Sequence, residues 1–290
     1  MKERGAVVTG AGSGMGRSIA LSLAAAGMNV VIADIDDESA QRVRDEVRAL
    51  GVESIAVPAD VAKLEQVEAL AETAYSEFGD IAVLVNNAGV TWRPYRAAWD
   101  ASIEDFRWIL SINYWGAYHG HHAFVRRMRE TETPKHIVNV SSVVALQASP
   151  GHSAYAAAKG AIDSLSSGAL AEFETAGLPI GVTVLYPGYV KTDIGTSERL
   201  RPAHQRSASR AVISWDTYGQ QGGLSGAENK AVVTDHRDVT SWHQAIDPSL
   251  VGPLVVDGIV KNRRFVLTHP FENPLADKAV GLANAYVPAS

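Results

Sequence analysis

Ala6-Val7-Val8-Thr9-Gly10-Ala11-Gly12-Ser13-Gly14-Met15-Gly16-Arg17 decides the fold of this chain. A short apolar run enters a turn with glycine at every second position. An amphipathic stretch over 17–26 follows and stops at Gly27, which reads as a helix with a glycine end. Glycines reach φ > 0 and let a ligand approach the backbone closely. The first N–H groups of a helix have no partner inside it and suit a pyrophosphate. The spacing is not G-x-G-x-x-G, because Met15 stands at the third position. Nor is it the phosphate loop G-x-x-x-x-G-K-[ST], because Arg17 and Ser18 follow Gly16. The pattern is T-G-x-x-x-G-x-G. A glycine loop without a ligand has the same composition, but the strand–turn–helix setting favours a nucleotide. Gly10, Gly14, Met15 and Gly16 are the candidates for the pyrophosphate turn.

Outward from this turn, short apolar runs alternate with amphipathic stretches. Strands are expected at 6–9, 30–33, 54–57, 81–85, 136–140 and 180–185. Helices are expected at 17–26, 38–50, 64–78, 103–129 (with a break near Gly116) and 154–174. Continuous apolar strands separated by helices predict a doubly wound parallel sheet covered on both faces, the Rossmann-type α/β class, with about seven strands. The pattern breaks after residue 193. Residues 195–240 are rich in Ser, Gln, Gly and Arg, with Trp215 and Tyr218 among them. A helix starting at Asp247-Pro248-Ser249 and running to 260, a strand at 265–267 and a further helix from 272 close the chain. We expect one dinucleotide-binding domain over 1–290, with 194–245 as an inserted lid over a substrate pocket.

Asp34 ends the second strand. A carboxylate there can accept hydrogen bonds from ribose hydroxyls and repels a 2′-phosphate. Ile35 follows it, and Ser13 stands where the turn could have carried a cation, so NAD is expected over NADP. Arg17 and Arg42 are the cations that argue the other way.

Composition narrows the function further. The 290 residues carry 26 basic and 32 acidic side chains, a formal charge of −6, and no cysteine. No basic stripe suggests a nucleic-acid partner; Arg126-Arg127-Met128-Arg129 is followed by Glu130 and reads as a solvated helix end. Disulfides and thiol nucleophiles are excluded. No run of about 18 apolar residues suggests a membrane span, and the chain enters its first strand almost at once. The expectation is a soluble, cytoplasmic protein with no membrane partner.

Tyr155 and Lys159 are four residues apart on a predicted helix and share a face. A free tyrosine, with a pKa of ~10, is a poor base at neutral pH; a cation beside it favours the phenolate. The spacing alone is common on solvated helices. It gains meaning from Thr9-Gly10-x-x-x-Gly14-x-Gly16, Asp60-Val61, Asn86-Asn87-Ala88-Gly89, Asn113, Ser142 and Pro187-Gly188-x-x-x-Thr192, which follow one another at strand ends.

On these residues the chain resembles the short-chain dehydrogenase/reductase family in its single-domain form, over roughly 5–193 and more loosely over 245–268. The resemblance implies that Tyr155 is the general acid/base. It implies that Lys159 lowers the tyrosine pKa and holds the nicotinamide ribose. Ser142 would hydrogen-bond the reacting oxygen, and Asn113 would hold a water that relays protons from Lys159. Ser141 should point to the other side of the extended chain. Cofactor contacts carry over to Gly10, Gly14, Met15, Gly16, Asp34, Asp60, Val61, Asn87, Ala88, Gly89, Pro187, Gly188, Val190 and Thr192, besides Tyr155 and Lys159. Family members place helices like 103–129 in subunit interfaces, so Trp108, Trp115, Tyr118 and Phe124 suggest a homodimer or homotetramer.

Trp92, Tyr95, Leu146, Gln147, Tyr186, Tyr189, Trp215 and Tyr218 lie in loops at strand ends or in the inserted segment. They are the candidates for a roomy apolar substrate pocket. His119, His121 and His122 lack a clear third ligand and read as helix-interface or surface residues, so no metal is expected. The function expected is an NAD-dependent oxidoreductase interconverting a secondary alcohol and a ketone on a bulky apolar small molecule. The alternative is a catalytically silent NAD-binding sensor or partner protein. An epimerase or dehydratase on nucleotide sugars is disfavoured, because Ser13 breaks the G-x-x-G-x-x-G turn.

Overall fold

The apolar runs pair side by side, all in one direction. Seven strands form one sheet among the described residues: β1 (Gly5–Thr9), β2 (Asn29–Asp34), β3 (Ser54–Pro58), β4 (Ile81–Asn86), β5 (Lys135–Val140), β6 (Ile180–Tyr186) and β7 (Phe265–Leu267). Their spatial order is β3-β2-β1-β4-β5-β6-β7, parallel throughout. The structure is a computed structural model and describes residues 2–93, 95–147, 150–206, 232–241 and 244–270. The helices are α1 (Gly14–Ala25), α2 (Asp37–Arg48), α3 (Leu64–Phe78), α4 (Ile103–Asn113), α5 (Trp115–Met128), α6 (Ser153–Ala176) and α7 (Val251–Val260).

Successive strand residues face opposite sides of the sheet, and each side is covered. Ala6, Val8, Val30 and Ile32 pack with Ile19 and Leu23 of α1 and Val251 and Val255 of α7. Val7, Val31, Leu84 and Ile137 pack with Leu70 of α3, Phe124 and Met128 of α5 and Phe173 of α6. A parallel sheet buried on both faces needs near-continuous apolar strands, which is why its strands were legible as sequence.

Two helices depart from expectation. α1 starts at Gly14, three residues early, so the glycine turn itself forms the first helical turn. The stretch 103–129 divides at Tyr114 rather than Gly116. Gly116 serves packing instead: a Cβ there would lie 2.6 Å from Val61 Cγ2. Trp108 and Phe124 are buried in the chain's own core, which removes them from the suggested subunit face; Trp115 and Tyr118 remain exposed.

The strand order reverses direction between β1 and β4, and ligands of open α/β sheets bind at the carboxyl ends of strands flanking such a point. Here the two loops are stitched together. The Asn87 side-chain amide donates to Thr9 O (2.8 Å) and Gly10 O (3.0 Å), while Thr9 Oγ1 accepts from Asn87 N (3.0 Å) and Ala88 N (3.1 Å).

After Thr192 the chain forms two 3₁₀ segments, Asp193–Leu200 and Ala203–Gln205. Buried Arg201 pairs with buried Asp105 of α4 at 2.6 Å. Val190 and Val233 both bridge Ile246. The described ends of the expected lid are therefore anchored to α4 and to the strand ends. Trp215, Tyr218 and the rest of 207–231 lie outside the described residues, as does the helix expected from 272.

Glycine also sets how closely α7 can dock on α1. A Cβ at Gly252 would lie 2.2 Å from Ser18 O, and Gly252 N donates to Ser18 Oγ at 3.0 Å. Overpacking of this kind costs about 1–3 kcal/mol. Gly252→Ala should lower the denaturant midpoint accordingly; a midpoint equal to the parent's would contradict the docking described.

Candidate active site

The carboxyl ends of the strands enclose a cleft of about 390 Å³. Gly10, Gly14, Met15 and Gly16 line one part of it, with Asp34, Asp60 and Val61 beside them. Asn87, Ala88 and Gly89 line its floor, and Pro187, Gly188, Val190 and Thr192 the opposite wall. Ser142, Tyr155 and Lys159 stand in the same cleft. Every residue expected to touch a cofactor therefore converges on one space, although the set spans most of the chain.

The glycine turn is shaped for close approach. Gly10 and Gly14 have φ of +61° and +54°, a region that side chains with a Cβ rarely enter. A Cβ at Gly16 would stand 2.1 Å from Gly10 O, and one at Gly14 would stand 3.0 Å from Thr192 Cγ2. A side chain at Gly16 would collide with the backbone of Gly10 and the Asn87 amide, and one at Gly14 with Thr192 across the cleft. Asp34 closes the turn from the other side: Oδ2 accepts from Gly12 N (2.8 Å) and Oδ1 from Asp36 N (3.0 Å). Of the two cations that could favour a 2′-phosphate, Arg17 is paired with Glu46. Arg42 lines the cleft and donates to Ser39 Oγ at 3.1 Å.

Tyr155 sits in the first turn of α6, where the helix dipole favours negative charge. Ser142, just past β5, hydrogen-bonds its phenol. Lys159, one turn on, donates from Nζ to Val140 O at 2.7 Å and lies 5.5 Å from the Tyr155 ring centre. Burial pushes the Tyr155 phenol up to about 12, partly countered by Ser142. Burial pulls the Lys159 ammonium down to about 8, partly countered by Asp163. Desolvation of the phenolate is the dominant effect on Tyr155, and the Lys159 ammonium is engaged with a backbone carbonyl.

The Asn113 side chain serves the backbone of Val90. Its Oδ1 accepts from Val90 N (2.8 Å) and its Nδ2 donates to Val90 O (2.9 Å), a clamp that fixes the loop after β4. Its side chain does not line the cleft.

Three of the aromatic candidates for the pocket are corrected. Trp92 is 1% exposed, packs with Trp108 and Ala158, and donates from its indole to Gly151 O at 2.9 Å. Tyr186 is buried behind the cleft and bonded to Asp163. Tyr95 stacks on His152 at 4.3 Å, again in the core. Leu146 packs against Val143, Val184 and Tyr186; Gln147 is exposed; neither they nor Tyr189 line the cleft. Its apolar wall comes instead from Trp108 and Ile112 of α4 and from Leu200 and Pro202. The amphipathic pattern of α4 carried a signal for the first two; nothing local marked the others. The three histidines of α5 diverge: His119 bonds Val61 O, His121 bonds Asn139, and His122 faces Glu68. Among the described residues no group of three or more acidic or histidine side chains is placed to hold a metal.

The sequence pattern of the family described as short chain dehydrogenase matches residues 4–203. The chain belongs to the short-chain dehydrogenase family. A CLA biosynthesis dehydrogenase/reductase of Lactiplantibacillus plantarum is 30% identical over 280 residues, covering 96% of this chain and 92% of the relative. A 1-deoxy-11-beta-hydroxypentalenate dehydrogenase of Streptomyces exfoliatus is 38% identical over 192 residues, 66% of this chain and 69% of that one. Among solved structures, a short chain dehydrogenase/reductase of Burkholderia phymatum in complex with NAD superposes with a TM-score of 0.83 at 32% identity, covering 100% of this chain and 98% of that one. This short-chain dehydrogenase is accordingly an oxidoreductase, with the family's Rossmann-like parallel sheet.

The Asn113 clamp yields a test on stability. Removing it leaves the Val90 N–H and C=O buried without partners, which costs about 1–3 kcal/mol for each group left unsatisfied. Asn113→Ala should therefore be less stable by at least ~1 kcal/mol in denaturant unfolding; a stability equal to the parent's would mean that Asn113 is not a structural clamp.

Proposed function

We propose that this short-chain dehydrogenase interconverts a secondary alcohol and a ketone with NAD, using Tyr155 as general acid/base. The observation that carries the reading is the meeting of Ser142, Tyr155 and Lys159 in the cleft that the glycine turn opens. The residues present fit the cofactor: the glycine turn, Asp34 and the set Ser142, Tyr155 and Lys159 line one cleft, which a side chain at residue 14 would narrow against Thr192. Bound NAD supplies a carbon that accepts hydride or, when reduced, donates it.

In the direction of reduction, Tyr155 gives its phenolic proton to the carbonyl oxygen as that oxygen gains charge. In oxidation, the Tyr155 phenolate takes the hydroxyl proton as the hydride leaves the carbon. Ser142 holds the reacting oxygen beside the phenol, where negative charge develops. Lys159 stabilises the phenolate through space and, with its ammonium in the cleft, binds the ribose hydroxyls. The Asn113 amide clamps Val90, and a water relaying protons from Lys159 would be held at Asn113. Asp34 favours NAD over NADP because its carboxylate faces the place of a 2′-phosphate.

The pocket for substrate lies between α4 and the segment after Thr192, with Trp108, Ile112, Leu200 and Pro202 providing an apolar wall. This supports a bulky apolar substrate (aryl, alicyclic or steroid-like), and the name of the Streptomyces relative points to an alicyclic alcohol. We read residues 194–245 as the part of this single domain that covers substrate. Trp115 and Tyr118, exposed on α5, support a homodimer or homotetramer.

Screening alicyclic, aryl and steroid alcohols with each cofactor, followed by nicotinamide absorbance, should show turnover with a lower Michaelis constant for NAD. A clear NADP preference would reject the role given to Asp34. Tyr155→Phe should lose turnover by about 10²-fold or more, the scale of general acid–base catalysis, while NAD still binds; near-parental turnover in that variant would refute the mechanism. Tight NAD binding by the parent chain with no turnover on any alcohol or ketone would favour the silent NAD-binding protein instead.

A further inference from the structure

We propose that Asp163 is a positioning residue that keeps the Lys159 ammonium charged beside Tyr155. The inference rests on the acid/base reading above and extends it one turn deeper into α6. Tyr155, Lys159 and Asp163 follow one another at four-residue intervals and so share one helical face. Tyr155 and Lys159 meet in the cleft, and Asp163 follows one turn on, where it acts on the ammonium through space.

Burial pushes the Asp163 carboxyl above its ordinary range, and hydrogen bonds and a nearby cation act in the opposite direction. Ser141 and Tyr186 both hydrogen-bond it. The Ser141 hydroxyl also lies 3.2 Å from the Lys159 carbonyl oxygen, so it stands between the lysine backbone and the carboxylate. Ser142, the next residue, serves Tyr155 from the other side of the extended chain. The two adjacent serines thus supply one hydroxyl to Tyr155 and one to Asp163. Tyr186, on β6, is itself pushed up by burial and by Asp163, and remains a neutral donor. Asp163 Oδ1 is buried without a hydrogen-bond partner, so part of its charge is compensated only through space. Asp163 as a whole is half-buried, and the cation that acts on its carboxylate is Lys159.

Lys159 needs that help. From its own helix it meets Tyr155 and Asp163. From β5 and the residues after it come the Val140 carbonyl and the hydroxyls of Ser141 and Ser142. The loop after β4 brings Gly89, with the neutral Asn113 amide close behind. β6 contributes only Tyr186, by way of Asp163. Asp163 is the carboxylate in this set. Burial lowers the ammonium to about 8, and Asp163 acts in the opposite direction. Without it the amine would deprotonate at a lower pH, and the Tyr155 phenolate would lose its cation within the working range.

The test titrates Lys159 directly, by its pH-dependent reaction with acetic anhydride read by peptide mass spectrometry, alongside the pH profile of kcat. In Asp163→Asn the Lys159 midpoint should fall by about one pH unit, and the alkaline limb of kcat should move with it. Asp163→Glu, which keeps the charge, should return both toward the parent. Asp163→Ser, should the Asn variant fail to fold, is expected to shift like Asn. An unchanged Lys159 midpoint in the neutral variants, or a Glu variant displaced as far as the Asn variant, would overturn the proposal. A parent enzyme without turnover would count against the functional reading alone, because the Lys159 midpoint is read without substrate.

Discussion

A side chain at residue 16 would stand 2.1 Å from the carbonyl oxygen of Gly10. That close approach is the constraint on which the rest of the site depends. It lets α1 start inside the glycine turn, which aims the free N–H groups of the helix at the cleft. It holds only because the turn is fixed from two sides. Asn87 reaches over from the β4 loop to the carbonyls of Thr9 and Gly10, and Asp34 reaches back from β2 to the N–H of Gly12. The reversal of strand order between β1 and β4 brings these loops together, so sheet topology and ligand geometry have one origin.

Across the cleft, Tyr155 and Lys159 are both held against their intrinsic preferences. Burial raises the phenol and lowers the ammonium, so each is pushed toward its neutral form. Burial alone therefore favours a protonated Tyr155. A phenolate gains stability from Ser142, from the first turn of α6 and from a charged Lys159. The same low-dielectric setting that penalises the charges singly strengthens their attraction when both are present.

Much of this was legible in the sequence, for identifiable reasons. Parallel strands buried on both faces must be apolar runs, and glycine positions with φ > 0 or a close neighbour cannot be other residues, so β1, β2, β4 and the turn at 10–16 stood out. The Tyr155 and Lys159 pair was visible because helical spacing is local. What failed was everything set by partners distant in the chain. No local pattern showed that the Asn113 amide clamps Val90, 23 residues away. Trp92 and Tyr186 were read as pocket residues because they are aromatics at strand ends. One instead fills the core with its indole on Gly151, and the other supports Asp163 from behind the cleft. Arg201 and Asp105 are 96 residues apart, and no local pattern announces that they anchor the segment after Thr192 to α4.

The central claim is that Tyr155 changes protonation under the control of charge placed beside it. Ultraviolet difference titration of the parent protein, with Tyr155→Phe as the blank, isolates the phenolate of this one residue. The ligand-free protein should ionise Tyr155 near the value of about 12 that burial imposes. Saturation with oxidised NAD, whose nicotinamide ring is cationic, should bring the midpoint down by at least about one pH unit, and reduced NAD should do so less. A midpoint that stays unchanged with both forms bound would contradict the account.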